Sequence, residues 1–304
     1  MFDLTAAVSP TVNVLGVLTA FTAATVWWRI RRRAGERAER AFEARFTRDA
    51  DGIIVGAESI RLTGTRHGAI VLLHGYNDSP QALAGVAREM HARGWSVRVP
   101  LLPGHGRTLQ AFAASHAEEW IAAARRELHE ALAEHAEVAV GGLSMGGAIA
   151  VILAARHPKV KAIVGFAPFL HAAWPLRLLS LFSPIAALAS RYMASGGQHS
   201  VHDRVAAAAM ISYGRSTPRL LAQLAYVLRL ARRVLPDVRQ PVLMMQSRED
   251  NRIPPSAAEE AFARLGSADK TLVWTTGAGH VITVDFGHEA LERQAADWLE
   301  SRLP

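Results

Sequence analysis

Between residues 138 and 156 one apolar run, Val138–Leu143, gives way to a second, Met145–Arg156, across a single serine set among Gly141, Gly142, Gly146 and Gly147. Glycine is costly inside regular structure because it loses the most backbone freedom on folding. Four of them around one hydroxyl predict a buried strand, a tight turn at Ser144 and a helix. A residue at such a turn is held in strained dihedrals, and glycine at the flanking positions removes the Cβ atoms that would clash with nearby backbone. The turn pushes the hydroxyl out at the carboxyl end of the strand. The helix that follows aims its free N–H groups and positive dipole end at the same point.

The rest of the chain repeats this alternation. Ile53–Leu62 reads as an opening strand or hairpin, Ala69–Leu73 as a buried strand ending at His74-Gly75, and Pro80–Arg93 as a helix. Ser96–Leu101 is a strand, Ala117–His135 a long helix, and Ala162–Ala167, Val242–Gln246 and Thr271–Trp274 three more strands. A helix lies between the last two and another covers Glu289–Leu299. Short apolar strands alternating with helices predict an α/β fold with a mostly parallel sheet and helices on both faces. The interval Pro168–Gln240 shows no strand pattern and is rich in helix formers. It reads as an inserted helical cap over about residues 169–239, with the main domain running from 51 to 304.

The N-terminal part differs in composition. Residues 4–28 carry no charge, and 25 helical residues span roughly 37 Å, enough for a ~30 Å hydrocarbon layer. Trp27 and Trp28 end this stretch and Arg29, Arg31, Arg32 and Arg33 follow. Thr11, Thr19, Thr22, Thr25 and Asn13 make it only modestly apolar. The expectation is a transmembrane anchor over residues 1–30 and a basic amphipathic linker over 31–50. The positive-inside rule then places the catalytic part in the cytoplasm as a single-pass membrane protein. A cleaved signal peptide fits less well, because the basic residues follow the apolar run. A helix packed on the domain is the remaining alternative.

Charge and cysteine content exclude other classes. Residues 29–48 hold eight arginines against three glutamates, five of the seven net positive charges of the 304-residue chain. A nucleic-acid groove needs basic residues spread over the folded domain, so that class is excluded as a partner. The chain has no cysteine, so disulfides and thiolate metal sites are excluded.

A serine is a weak nucleophile unless a base takes its proton and a third group orients the base. His280 follows a predicted strand and the turn Thr276–Gly279, and it comes after the serine. His74 and His105 also end strands but precede Ser144 and suit loop orientation better. His157 and His288 read as helix-end or surface residues. The acid is expected in the loop after Val242–Gln246, where Asp250 is the first candidate, with Glu249 and Asp285 as alternatives. The order Ser144, Asp250, His280, each at a strand's carboxyl end, fits a nucleophile on a strand-to-helix elbow. Two oxyanion donors are then expected, the backbone N–H of Met145 and that of Tyr76 in the loop after Ala69–Leu73.

Together HGYNDSP, PLLPGHG, GGLSMGG, SREDNRIPP and GHVITVDF resemble the serine alpha/beta-hydrolases, over roughly residues 50–303. Within them the chain resembles the bacterial carboxylesterase and monoacylglycerol lipase group. The resemblance implies a triad of Ser144, Asp250 and His280, an oxyanion hole at Tyr76 and Met145, and no cofactor or metal. It implies ester hydrolysis through an acyl-enzyme. The apolar residues of 169–198, among them Trp174, Leu176, Leu178, Leu179, Leu181 and Ile185, point to medium-chain acyl groups. A monoacylglycerol or lysophospholipid lipase, a thioesterase and an acyltransferase use the same triad. A membrane-anchored binding protein with a retired site is the non-enzymatic alternative, and its signature, a missing triad member, is not in the sequence.

Overall fold

The computed structural model describes residues 10–65, 68–171, 182–183, 186, 188, 191–195 and 200–303. The chain opens with helix α1 (Pro10–Glu43). Strands β1 (Ile60–Leu62) and β2 (Gly68–Leu73), helix α2 (Ala84–Ala92) and strand β3 (Ser96–Val99) follow. Next come helices α3 (Leu109–Ala114) and α4 (Ala117–Glu134), strand β4 (Glu137–Leu143), helix α5 (Met145–Arg156) and strand β5 (Val160–Phe166). The stretch after β5 contains β6 (Met193–Ala194), α6 (Arg204–Ala209), β7 (Arg215–Ser216) and α7 (Pro218–Val234). The chain closes with β8 (Val242–Ser247), α8 (Pro255–Arg264), β9 (Lys270–Thr275) and α9 (His288–Glu300).

Seven strands form one sheet in the order β1-β3-β2-β4-β5-β8-β9. Only the edge strand β1 is antiparallel to its neighbour. The long apolar runs of the central strands follow from burial on both faces. In β2, Ala69, Val71 and Leu73 enter one core cluster while Ile70 and Leu72 enter the other. The first cluster is filled by α4, α5 and α7, including Trp120, Ile149, Leu224 and Leu228. The second is filled by α2 and α9, including Val86, Met90, Ala295 and Leu299.

The stretch between β5 and β8 is not purely helical. β6 and β7 pair antiparallel, Met193 opposite Ser216 and Ala194 opposite Arg215. Two-residue strands carry no periodicity that sequence reading can detect. Helix α7 packs against α5 along the first core cluster and returns the chain to the sheet. Trp174, Leu176, Leu178, Leu179, Leu181 and Ile185 lie outside the described residues.

The expected membrane anchor is corrected by the structure. Among the described residues no helix is long and apolar enough to cross a membrane. The stretch lacks charge, but lack of charge is not apolarity. Thr19, Thr22 and Thr25 turn their hydroxyls onto the carbonyls of Leu15, Leu18 and Phe21, and Gly16, Ala20, Ala23 and Ala24 dilute the apolar side chains further. The helix also runs unbroken past residue 30, through the arginines to Glu43. The single-pass membrane location, and the cytoplasmic placement drawn from it, fall with the span. Near its C-terminal end α1 meets the domain. Phe42 is buried and stacks on Tyr213 at 4.9 Å between ring centroids, and Tyr213 stacks on Phe112 at 4.1 Å. Arg45 Nη1 donates to the Ser212 carbonyl at 3.2 Å.

Candidate active site

Ser144 sits between β4 and α5 with φ 53°, one of two non-glycine residues with positive φ among the described residues. Such a backbone costs on the order of 1–3 kcal/mol and persists only where its surroundings hold it. Here they do: Ser144 N–H donates to Phe166 O at 3.0 Å, and Ser144 O accepts from Phe169 N at 3.0 Å and Ala148 N at 3.2 Å. The glycines are needed for clearance. A Cβ on Gly146 would lie 1.9 Å from Leu73 O, and one on Gly142 would lie 2.5 Å from the same oxygen. The elbow is therefore wedged against the end of β2, beside the loop that carries Tyr76.

His280 lies in the loop after β9, 7% exposed. Its Nε2 is 2.8 Å from Ser144 Oγ and its Nδ1 is 2.8 Å from Asp250 Oδ2. Asp250 follows β8. Its Oδ1 accepts from Arg252 N at 2.7 Å and Ile253 N at 2.9 Å, and its Oδ2 accepts from Gln246 Nε2 at 2.6 Å. Burial pushes this carboxyl up. The hydrogen bond and charge of His280, with the two backbone donors, outweigh burial and hold it below its ordinary value. An ionised Asp250 fixes the proton of His280 on Nδ1, leaving Nε2 free to accept from the serine.

The two alternative acids lie elsewhere. Glu249 accepts from Gly277 N at 2.8 Å. Asp285 accepts from Gly279 N at 2.7 Å and His202 N at 2.8 Å on one oxygen, and from Asp203 N and Phe286 N, both at 2.9 Å, on the other. Asp285 thus braces the loop that presents His280 and does not touch its ring. Burial opposes its charge, and these four backbone donors bring its pKa below the ordinary value.

Tyr76 follows Gly75 after β2, and Met145 is the first residue of α5. Neither backbone N–H donates to a backbone carbonyl among the described residues. The Tyr76 side chain points away from that task, its hydroxyl hydrogen-bonded to Ser216 Oγ in β7. His105 Nε2 lies 2.8 Å from the Tyr76 carbonyl, and burial lowers its pKa to about 4, so the ring is neutral and donates from one nitrogen. His74 Nε2 accepts from Leu102 N at 3.1 Å, which puts its proton on Nδ1 against Gly75 O at 2.9 Å. The two histidines that precede the serine therefore hold the backbone of this loop.

Gln246 was not singled out by the sequence. It is fully buried, one residue before the end of β8, and a glutamine at a strand's buried end is the only signal it gives. Ser200 is another: its carbonyl accepts from Val281 N at 3.2 Å and its hydroxyl from Arg252 Nε at 2.9 Å, so it bridges the loops of His280 and Asp250. Among the described residues no group of three or more histidine and acidic side chains could hold a metal ion.

Comparison with known proteins agrees with this architecture. A family profile described as serine aminopeptidase, S33, matches residues 64–286. A thermostable monoacylglycerol lipase of Bacillus sp. (strain H-257) is 26% identical over 217 residues, 71% of this chain and 84% of that protein. A carboxylesterase of Bacillus subtilis (strain 168) is 23% identical over 238 residues, 76% of this chain and 92% of that one. Among solved structures, one from a study of two metagenome-derived lipolytic enzymes, LipS and LipT, superposes with a TM-score of 0.74 at 27% identity, covering 82% of this chain and 99% of the other. The monoacylglycerol lipase of Paleococcus ferrophilus shares the fold, with a TM-score of 0.69 at 21% identity over 80% of this chain and 98% of its own. With a profile match over most of its length and the sheet of its relatives, the chain belongs to the serine aminopeptidase S33 family and is a serine hydrolase of the alpha/beta-hydrolase fold.

Proposed function

We propose that the protein hydrolyses carboxylic esters through an acyl-enzyme on Ser144, with His280 as base and Asp250 as its orienting acid. The observation that carries this reading is the single chain of contacts from Asp250 through His280 to Ser144, with both links at 2.8 Å. Ser144 Oγ attacks the ester carbonyl as its proton passes to His280 Nε2. The backbone N–H groups of Tyr76 and Met145 receive the negative charge on the carbonyl oxygen. The C–O bond then breaks and the alcohol leaves with the proton from His280. Water repeats the sequence on the acyl group, releasing a carboxylic acid and the free serine. No cofactor enters the scheme.

The hydrolase domain in this reading runs from residue 51 to 304, with the stretch 169–239 as its cap. Medium-chain acyl groups are the proposed substrates, supported by Phe169, whose ring centre is 6.5 Å from that of His280, and by buried Leu170 beside it. A second reading, monoacylglycerol lipase, is favoured by the similarity to the Bacillus enzyme of that name.

The test is turnover of p-nitrophenyl esters from acetate to octanoate, together with labelling by a serine-directed phosphonate. The wild type should show kcat/KM rising by one to two powers of ten along the series, at up to ~0.8 kcal/mol per buried methylene. Ser144→Ala should lose both turnover and labelling. Turnover that survives in Ser144→Ala would refute the nucleophile, and a fall from acetate onward would refute the medium-chain preference.

A further inference from the structure

A groove of about 560 Å³ lies between α1 and the segment that holds β6 and β7, and none of its lining residues belongs to the triad or to the oxyanion loop. Its apolar part is formed by Trp27, Ile30, Ala34, Ala38 and Ala41 on α1, with Tyr192 across from them. Four arginines share the lining: Arg31 and Arg37 on α1, Arg191 beside Tyr192, and Arg215 in β7. Among the described residues no acidic side chain lines it.

The two walls are fixed to each other. Glu39 on α1 accepts from the Tyr192 hydroxyl at 2.7 Å and pairs with Arg191 Nη2 at 3.1 Å. A Cβ on Gly35 would lie 2.8 Å from Arg191 Cδ, so the stem of this arginine rests directly on the helix. Aromatic rings orient two of the guanidiniums: Arg31 lies 5.7 Å from the centre of the Trp27 ring, and Arg191 lies 5.5 Å from that of Tyr192. Arg215 is exposed and, among the described residues, makes no hydrogen bond or ion pair. The lining thus carries charge of one sign over a cavity of small-molecule size. Like charges held together repel, and a bound anion relieves that repulsion.

We propose that this groove binds a free single-chain amphiphile with an oxyanion head, of which a long-chain carboxylate is the simplest. Guanidinium groups take the two oxygens of such a head in paired N–H···O bonds. The alkyl chain lies along the short side chains of α1. At about 1.5 Å per residue the floor from Trp27 to Ala41 is about 21 Å long, more than an extended chain of about ten carbons needs. Walls on two sides suit one chain taken from solution better than a bilayer, which is flat. The binding requires no ester turnover, so it stands or falls apart from the hydrolytic assignment.

The experiment titrates decanoate, below its micelle concentration, into the full chain by isothermal titration calorimetry. Acetate, decyltrimethylammonium and phosphatidylglycerol vesicles are the comparisons. Decanoate should bind saturably and at least tenfold more tightly than acetate, because the chain buries methylenes that acetate lacks. Decyltrimethylammonium should bind at least tenfold more weakly than decanoate, and added salt should weaken decanoate. Arg215→Glu reverses one charge at an exposed position and should weaken decanoate by about tenfold. Ala34→Trp fills the floor from an exposed position and should weaken it as much, with every arginine in place. Thermal unfolding should be unchanged in both variants, and if one unfolds early the other decides. Acetate as tight as decanoate marks an adventitious ion only and overturns the proposal. Decyltrimethylammonium as tight as decanoate marks apolar contact alone and overturns it as well. Decanoate binding that neither variant weakens lies elsewhere, the ester site included, and sinks the assignment to this groove. Capture by the vesicles without decanoate binding also overturns it, since the partner would then be a lipid surface.

Discussion

The carboxyl end of the sheet and the outer face of α1 respond to physics in opposite ways. At Ser144 both backbone groups are hydrogen-bonded, and the flanking glycines leave no room for one more carbon. On α1, Leu15, Leu18 and Phe21 are 57–72% exposed. The first region should be sensitive to a change of one atom, in activity or in stability, while the second should tolerate replacement of a whole side chain. Sensitivity follows contact, and hydrophobicity by itself does not predict it.

The largest effect that would sharpen this contrast comes from one atom in the first region. Asp250→Asn should lower kcat on p-nitrophenyl octanoate by on the order of 10⁴, because an amide no longer holds the His280 proton on Nδ1. Far-UV circular dichroism should be unchanged. A loss below tenfold would mean that another group orients the histidine. Next is one carbon atom. Gly146→Ala puts a Cβ 1.9 Å from Leu73 O, a backbone atom that cannot rotate away. Urea unfolding should show a loss of about 3 kcal/mol or an insoluble chain, and a variant as stable as wild type would show that the elbow has slack. The smallest effect is expected from the largest change. Phe21→Gln removes a ring that is 72% exposed and should leave stability within about 0.5 kcal/mol by thermal unfolding. A drop of several degrees would break the comparison, since α1 would then have a partner in the molecule on that face.

What the sequence made legible tracks the range of the interactions involved. The elbow could be read because its cause is local: a strand, a glycine-flanked serine and a helix lie within twenty residues. Asp250 and His280 could be ranked because each follows a strand, and the parallel sheet carries strand ends to one side. Asp250 stands first of three candidate acids in the sequence; in the structure it lies at the imidazole, while Asp285 binds the backbone of the histidine loop. Nothing in the sequence around Gln246 or Ser200 announces a partner 4 or 52 residues away. The β6–β7 pair was hidden because two residues have no period. α1 is a different case: length and freedom from charge over 25 residues outweighed its threonines in the reading, and the glycine and alanines dilute its apolarity further.

The stretch between β5 and β8 bears on how such a protein can diversify. The chain leaves the sheet at Ala167, whose φ of 41° turns it away while its N–H stays on Met245 O at 2.7 Å. The excursion ends at Thr217, whose hydroxyl caps α7, and α7 leads back to the sheet at Val242. Between those points a lineage can exchange one excursion for another without disturbing the pairing of Phe166 with Met245. The exchange is not free. Ser200 clasps the loops of His280 and Asp250, and Ser216 holds the Tyr76 ring. A graft that replaces the excursion must carry both serines with it, or it will change the substrate at the expense of the reaction.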